Sequence, residues 1–372
     1  MKYLICTRPS GQYPRNIPVA DFCNLVAYYM KKKGNDVLLL YTHRAPFKDE
    51  IEWLSENNLK WKVLANTHYY NKNPKYFVKL YKILRSEKPD VVEFHVPSVP
   101  MGLLTSRLKR IRNMIIWNHS LSFYNHNKLS EKISSKVQTF RSNIYFKIAT
   151  AIIANSEANK CDLMKHHKVD PSKVHVKHLG TYPPIDEPTG PVRRELMIAC
   201  VGRYIKSKGQ DILLRALPKV IAKYPELKII FVGAGHPDDL KSLAKELKIF
   251  DNCLFMGESK KGDVYKVLRR ASISVFPTLL EAFGLVAIDS LFCGTPLIAS
   301  DTGGVSEIIE NNKNGILVEP GNVKQLESSI LKLLDDEKLR DELSKNAIER
   351  SKYFDINTRA EAYADWLTKN YN

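Results

Sequence analysis

The sequence predicts an α/β protein built from two domains of parallel sheet. Three observations carry that reading. The chain has 372 residues, too many for one ordinary core and comfortable for two. Strand-like and helix-like segments alternate in both halves, as parallel strands with helical crossovers require. Between the halves, the stretch 181–191 holds four prolines within nine residues and reads as a linker.

The first half opens on an apolar strand, 2–7. A loop with Pro9, Gly11, Pro14 and Pro18 follows, then an amphipathic stretch from Val19 to Lys33. Gly34 stands where a glycine commonly ends a helix. Further strands are expected at 37–40, 90–94, 114–117 and 151–154. A fresh strand at 196–201 restarts the pattern, and strands near 228–232, 253–256, 273–276, 296–299 and 315–318 alternate with helices. The tail from about 323 to 370 reads as helical, rich in Glu, Lys and Leu. The expected domain division falls at 185/186. Two such domains joined by a linker leave a cleft, a favoured place for a ligand.

Composition narrows the class. Apolar residues make up 44% and charged residues 26%, the balance of a globular chain. No stretch approaches the length of a membrane span. The N-terminal apolar run is too short for a signal-peptide core. The six cysteines form no C-x-x-C pair and have no zinc spacing, so they are expected to be reduced and mostly buried. A cytoplasmic location is expected. The net charge is +17, and residues 1–190 carry 30 Lys and Arg against 15 Asp and Glu. The basic excess therefore lies in the first half. It suits an anionic partner such as a membrane face or a phosphorylated lipid, and equally a merely solubilising surface. Nucleic acid is disfavoured, because no aromatic-and-basic platform accompanies the charge.

Four segments of the second half, each following a strand, could carry chemistry. Gly202-Arg203-Tyr204-Ile205-Lys206-Ser207-Lys208-Gly209 precedes a helix. Its glycines allow tight turns, the helix start offers free N–H groups to an anion, and Arg203 and Lys208 can reach a diphosphate. A solvated basic loop is the other reading. Gly233-Ala234-Gly235 lacks the third glycine of a dinucleotide fingerprint, so close passage of chain or ligand fits it better. In Glu281-Ala282-Phe283-Gly284-Leu285-Val286-Ala287-Ile288-Asp289 two carboxylates stand eight positions apart, on a loop and two turns into a helix. A carboxylate can accept from two adjacent sugar hydroxyls. An ordinary helix-start Glu and surface Asp explain the spacing as well. Gly303-Gly304 is either a ligand approach or a plain turn.

In the first half His95 and His119 both stand just past predicted strands. Each is either a site residue or a structural hydrogen-bonder. Gly11 and Arg15, in the loop after the first strand, are weaker phosphate contacts. The chain has no D-x-D, no H-E-x-x-H and no G-x-S-x-G. Catalysis would then rest on positioning and on stabilising a leaving diphosphate.

The run Gly202-Arg203 to Lys208-Gly209, Glu281-Ala282-Phe283-Gly284-Leu285 with Asp289, Cys293-Gly294-Thr295-Pro296, Gly303-Gly304, Glu307 and Asn314-Gly315 resembles the family-four, or group 1, retaining glycosyltransferases of cell-envelope and lipopolysaccharide type. The likeness is close in the second half. It is fainter in the first, at the opening strand and loop, Lys88-Pro89-Asp90-Val91-Val92, His119 and Ala154-Asn155-Ser156-Glu157.

The resemblance implies the GT-B fold, two Rossmann-like domains facing each other across a cleft. It implies an acceptor-binding domain over 1–185, a nucleotide-sugar-binding domain over 186–356, and a last segment, 357–372, that returns to the first domain. It implies metal-independent transfer of a hexosyl or N-acetylhexosaminyl group with retention, and no cofactor beyond the nucleotide-sugar, by default a UDP-sugar. By position, Arg203 and Lys208 would hold the diphosphate and Gly235 would border the donor. Glu281 would bind sugar hydroxyls, Phe283, Gly284 and Leu285 would offer backbone contacts, and Asp289 would meet the ribose. His119 and Glu281 are the expected catalytic residues. Gly11, Arg15 and His95 are the expected acceptor-side phosphate loop.

Two departures stand out. The family has Glu where this chain has Asp289, and a glycine pair where it has only Gly11. The expected acceptor is anionic and membrane-associated, met by an enzyme peripheral on the inner membrane face. A nucleotide-sugar epimerase and a non-catalytic assembly protein are the alternatives.

Overall fold

The computed structural model describes residues 1–9, 18–42, 44–64, 74–95, 99–121, 142–184 and 194–371. They form two compact units, Met1–Gly180 with Ile356–Asn372, and Thr181–Asp355. The division falls earlier than the expected 185/186. Thr181 already belongs to the second unit, bridging Asp355 and donating its N–H to the Phe354 carbonyl at 3.0 Å. The last helix, Ile356–Tyr371, packs on the helix Pro18–Lys32 of the first unit.

Among the described residues the first unit holds seven parallel strands in the order β3-β2-β1-β4-β5-β6-β7. They are β1 Lys2–Thr7, β2 Asp36–Tyr41, β3 Lys60–Val63, β4 Val91–His95, β5 Asn113–Asn118, β6 Ala151–Ala154 and β7 Val174–Val176. The central strands are buried on both faces, which is why they read as continuous apolar runs. The edge strands β3 and β7 escape sequence reasoning. Lys-Trp-Lys-Val alternates between exposed and half-buried, and Val-His-Val is three residues long. The core gathers Leu4, Leu38, Val92, Phe94, Ile116 and Ile152.

Among the described residues the second unit holds six strands in the order β10-β9-β8-β11-β12-β13. They are β8 Glu195–Val201, β9 Lys228–Val232, β10 Cys253–Met256, β11 Ala271–Phe276, β12 Leu297–Ser300 and β13 Ile316–Val318. All pair in parallel. Leu213, Leu217, Ile229, Phe231 and Ile273 anchor its core, where burying each large side chain contributes about 1.5–3 kcal/mol. Among the described residues no helix is long and apolar enough to cross a membrane. All six cysteines are free; four are buried, as expected for most of them, while Cys253 is half-buried and Cys161 exposed.

Both sheets reverse strand order once, between β1 and β4 and between β8 and β11. At such a switch point the loops leaving the two strands diverge to opposite faces and open a crevice at the carboxyl edge. The loops after β8 and β11 carry the Lys208 and Glu281 segments. β4 ends at His95.

Candidate active site

In the second unit the loop after β8 closes with a short 3-10 turn, Lys206–Lys208, before the helix Gln210–Lys223. Gly209 joins them at φ +66°, and a Cβ there would lie 2.0 Å from the Pro277 carbonyl oxygen. Only glycine fits so close an approach. The loop is stapled to the one after β11. Leu279 donates its N–H to the Ser207 carbonyl at 2.8 Å, and the Thr278 hydroxyl, fully buried, donates to the same oxygen at 3.0 Å. From the other side the Gln210 side-chain amide donates to the Gly202 and Arg203 carbonyls at 3.2 and 3.0 Å. Sequence reasoning missed Thr278 and Gln210, which lie outside any glycine or charge pattern.

This frame brings Lys208 and Glu281 together. Nζ of Lys208 lies 2.7 Å from Oε2 of Glu281, with both side chains 17% exposed. The other oxygen of Glu281 accepts the Ala282 N–H at 3.1 Å and, more loosely, the Phe283 N–H at 3.5 Å. The Phe283 ring is core, edge-on to Phe354. Gly284 caps the helix Leu285–Phe292, whose first-turn N–H groups at Leu285 and Val286 have no hydrogen-bond partner among the described residues. The exposed Arg203 guanidinium likewise has none. Gly303, at φ +58°, backs the loop, and a Cβ there would stand 1.6 Å from the Glu281 carbonyl oxygen. The glycine pair thus fixes the Glu281 loop from behind. Gly235 passes close to Tyr204, which donates its N–H to the Ala234 carbonyl at 2.8 Å.

Asp289 is buried, and so is not the surface carboxylate that its spacing also allowed. It is 4% exposed, and both its oxygens accept from Nζ of Lys261, at 2.5 and 2.6 Å. The Tyr265 hydroxyl lies 3.2 Å away. Burial pushes the Asp289 carboxyl up, and Lys261 and Tyr265 oppose that without cancelling it. Lys261 was missed because nothing in the sequence ties it to a residue 28 positions away.

The first unit places His95 at the end of β4 and His119 just beyond β5, with 3.1 Å between Nδ1 of His95 and Nε2 of His119. Their segment is held by Asn118, whose amide donates to Asn159 Oδ1 at 2.7 Å, while Asn159 donates back to the Asn118 carbonyl and to Asn155. The Ala154-Asn155-Ser156-Glu157 run thus anchors the turn that carries His119. Gly11 and Arg15 lie outside the described residues.

Two family models match the chain. The one described as glycosyl transferases group 1 covers residues 183–350, and that of glycosyltransferase family 4 covers residues 22–182. Among curated proteins, the D-inositol 3-phosphate glycosyltransferase of Corynebacterium kroppenstedtii is 30% identical over 237 residues, 58% of this chain and 52% of that protein. The chain thus spans about half the length of the curated relatives it matches. Among solved structures, Anabaena HepE in complex with UDP superposes with a TM-score of 0.74 at 20% identity, over 99% of this chain and 100% of that one. WaaG, a glycosyltransferase involved in lipopolysaccharide biosynthesis, gives 0.67 at 18% identity, over 98% and 99%. At these identities the two structures establish the shared two-Rossmann architecture.

Proposed function

Because the chain belongs to the group 1 glycosyltransferases, we propose that it moves a hexosyl or N-acetylhexosaminyl group, with retention, from a UDP-sugar to an anionic cell-envelope acceptor. One observation carries the reading. Lys208 and Glu281, from loops leaving neighbouring strands, meet at 2.7 Å beside helix N–H groups that have no partner among the described residues. A diphosphate and a sugar need that set: a cation, a carboxylate for hydroxyls, and N–H donors at a helix start.

Each charge of the pair offsets the other, so neither stands uncompensated before a donor arrives. With the donor, Lys208 turns to a phosphate oxygen and Glu281 accepts from the sugar hydroxyls. Arg203 adds a forked donor to the diphosphate. Together the two cations stabilise the charge that develops on the leaving group, the contribution a metal would otherwise make. Gly235 borders the donor, and the Phe283, Gly284 and Leu285 backbone lines it. His119 acts beside the reacting atoms, Gly11 and Arg15 serve the acceptor side, and the buried His95 reaches the substrate only through His119.

HepE was solved with UDP and with UDP-glucose, which supports UDP as the nucleotide. The inositol 3-phosphate in the relatives' name and the lipopolysaccharide role in WaaG's title support a phosphorylated or envelope acceptor. So does the charge of residues 1–190. The same charge supports peripheral attachment to the inner membrane face.

The engagement of both Asp289 oxygens by Lys261 favours a second reading, a protein that binds the nucleotide-sugar without transferring it. Incubation of the chain with radiolabelled UDP-sugars and envelope extracts separates the two. Label entering the acceptor fraction supports transfer. Donor binding with no label transferred from any sugar contradicts it.

A further inference from the structure

Behind His119 runs a line of buried polar groups. Glu93 and His95 are two apart on β4 and so share one face of the sheet; each is 3% exposed. Oε1 of Glu93 lies 2.6 Å from Nε2 of His95. Its other oxygen accepts the Tyr363 O–H at 2.9 Å, and the Tyr363 oxygen accepts from Nε1–H of Trp117 at 3.1 Å. Nδ1 of His95 faces Nε2 of His119 at 3.1 Å. The rings of His95, Trp117 and His119 stack with centroids 5.3–5.5 Å apart, which fixes both imidazole planes. The line ends at Nδ1 of His119, buried and without a hydrogen-bond partner among the described residues. Among the described residues, other ionisable groups acting on the two rings include Cys23, whose sulfur lies 3.3 Å from Nε2 of His95, and Arg8, whose charge reaches His119.

With Glu93 as a carboxylate, two proton arrangements fit these distances. If His95 is neutral and gives its one proton to Glu93, its Nδ1 accepts from Nε2–H of His119, and His119 ends in a bare acceptor. If His95 is an imidazolium, it donates at both nitrogens, and His119 carries its proton on Nδ1. The second arrangement pairs the buried Glu93 carboxylate with a cation, where the first leaves it uncompensated. Burial opposes charge on His95, but the Cys23 sulfur and the Glu93 carboxylate outweigh it and push its pKa up to about 10. Burial first, then the charges of His95 and Arg8, hold His119 well below the ordinary range.

We infer that Glu93 and His95 are positioning residues that hold His119 as a neutral imidazole protonated on Nδ1, a fixed N–H donor to an oxygen of the bound substrate. The substrate half of this inference rests on the transferase reading above; the proton arrangement does not.

The test has two arms. In the first, the full chain with 15N-labelled histidine is studied by NMR at about pH 8, where an ordinary histidine of pKa about 6.5 is neutral. His119→Asn assigns the ring of His119. One other imidazole should be doubly protonated, and His119 should carry its proton on Nδ1. A neutral His95 with the proton of His119 on Nε2 overturns the inference.

In the second arm, Glu93→Gln should lower kcat about tenfold to a hundredfold while the donor KM stays within about threefold. The side chain introduced by His119→Asn carries its own amide N–H donor, so in that background Glu93→Gln should cost nothing further. An equal loss in both backgrounds makes Glu93 merely structural and overturns the positioning role. A wild-type chain that transfers no sugar sinks the transferase reading, and the first arm still decides the proton arrangement.

Discussion

Nζ of Lys208 and Oε2 of Glu281 lie 2.7 Å apart, across 73 positions of sequence. The strands before them, β8 and β11, are neighbours at the point where the sheet reverses its order. Topology, not proximity in sequence, assembles the pair. Replacing Lys208 with Ala should weaken UDP-sugar binding about tenfold to a hundredfold, the loss of one charge-assisted hydrogen bond. Glu281→Ala should act on the sugar instead, costing UDP-sugar affinity while leaving UDP affinity nearly unchanged. Titration calorimetry with both ligands reads the difference. Equal losses for UDP and UDP-sugar in Glu281→Ala contradict the assigned roles.

Gly303→Ala should destabilise the second unit by about 2–3 kcal/mol and weaken donor binding as well, because the new Cβ meets the Glu281 carbonyl in a left-handed backbone. Gly34→Ala is the control. Its φ is also positive, at +81°, but nothing lies within 4 Å. It should cost about 1 kcal/mol and leave binding alone. Denaturant melts and calorimetry test both. Equal effects of the two substitutions contradict the backing role of Gly303.

Lys261 and Asp289 form the most buried ion pair of the second unit among the described residues, with side chains 16% and 6% exposed. Lys261→Met should cost about 3–5 kcal/mol, since it leaves a buried carboxylate unpaired, and adding Asp289→Asn should recover part of that loss. A double mutant no more stable than Lys261→Met contradicts the coupling.

Histidine protonation makes stability depend on pH in opposite senses. The folded pKa of His95 is raised from 6.5 to about 10, so the folded chain holds its proton more tightly. That stability is fully present below about 6.5 and lost as pH rises toward about 10. The folded pKa of His119 is lowered, so its contribution is present above the ordinary value and lost as pH falls beneath it. Thermal melts across pH should show the alkaline limb vanish in His95→Gln and the acidic limb shrink in His119→Asn. Unchanged slopes contradict both.

Much of the fold was legible in the sequence for a physical reason. A parallel strand buried on both faces is an apolar run, and Gly34 ends its helix as expected. The edge strands were hidden because Lys60–Val63 alternates and Val174–Val176 is short. At the candidate site, glycine-and-charge patterns reached Lys208, Glu281 and the Gly303-Gly304 pair, which the fold brings together. Their supports were not. Thr278 and Gln210 act through backbone carbonyls, and Lys261 finds Asp289 only in three dimensions. Glu93 gave one unused signal. A carboxylate two positions before a histidine on a buried strand must share its face.

The basic first half gives a prediction of its own. Sedimentation with anionic vesicles should be strong at low ionic strength and fall steeply as salt shortens the screening length to about 3 Å near 1 M. Neutral vesicles should not bind. Binding to anionic vesicles that ignores salt contradicts an electrostatic attachment.

Lys208 and Glu281 are proposed to hold a nucleotide-sugar in the second unit. A thermal-shift screen of UDP-sugars against the wild-type chain, Lys208→Ala and Glu281→Ala tests it most directly, since a ligand that binds only the folded state raises its stability. The melting temperature should rise with at least one UDP-sugar, and rise less in both variants. An equal rise in all three proteins, or none with any nucleotide-sugar, contradicts it.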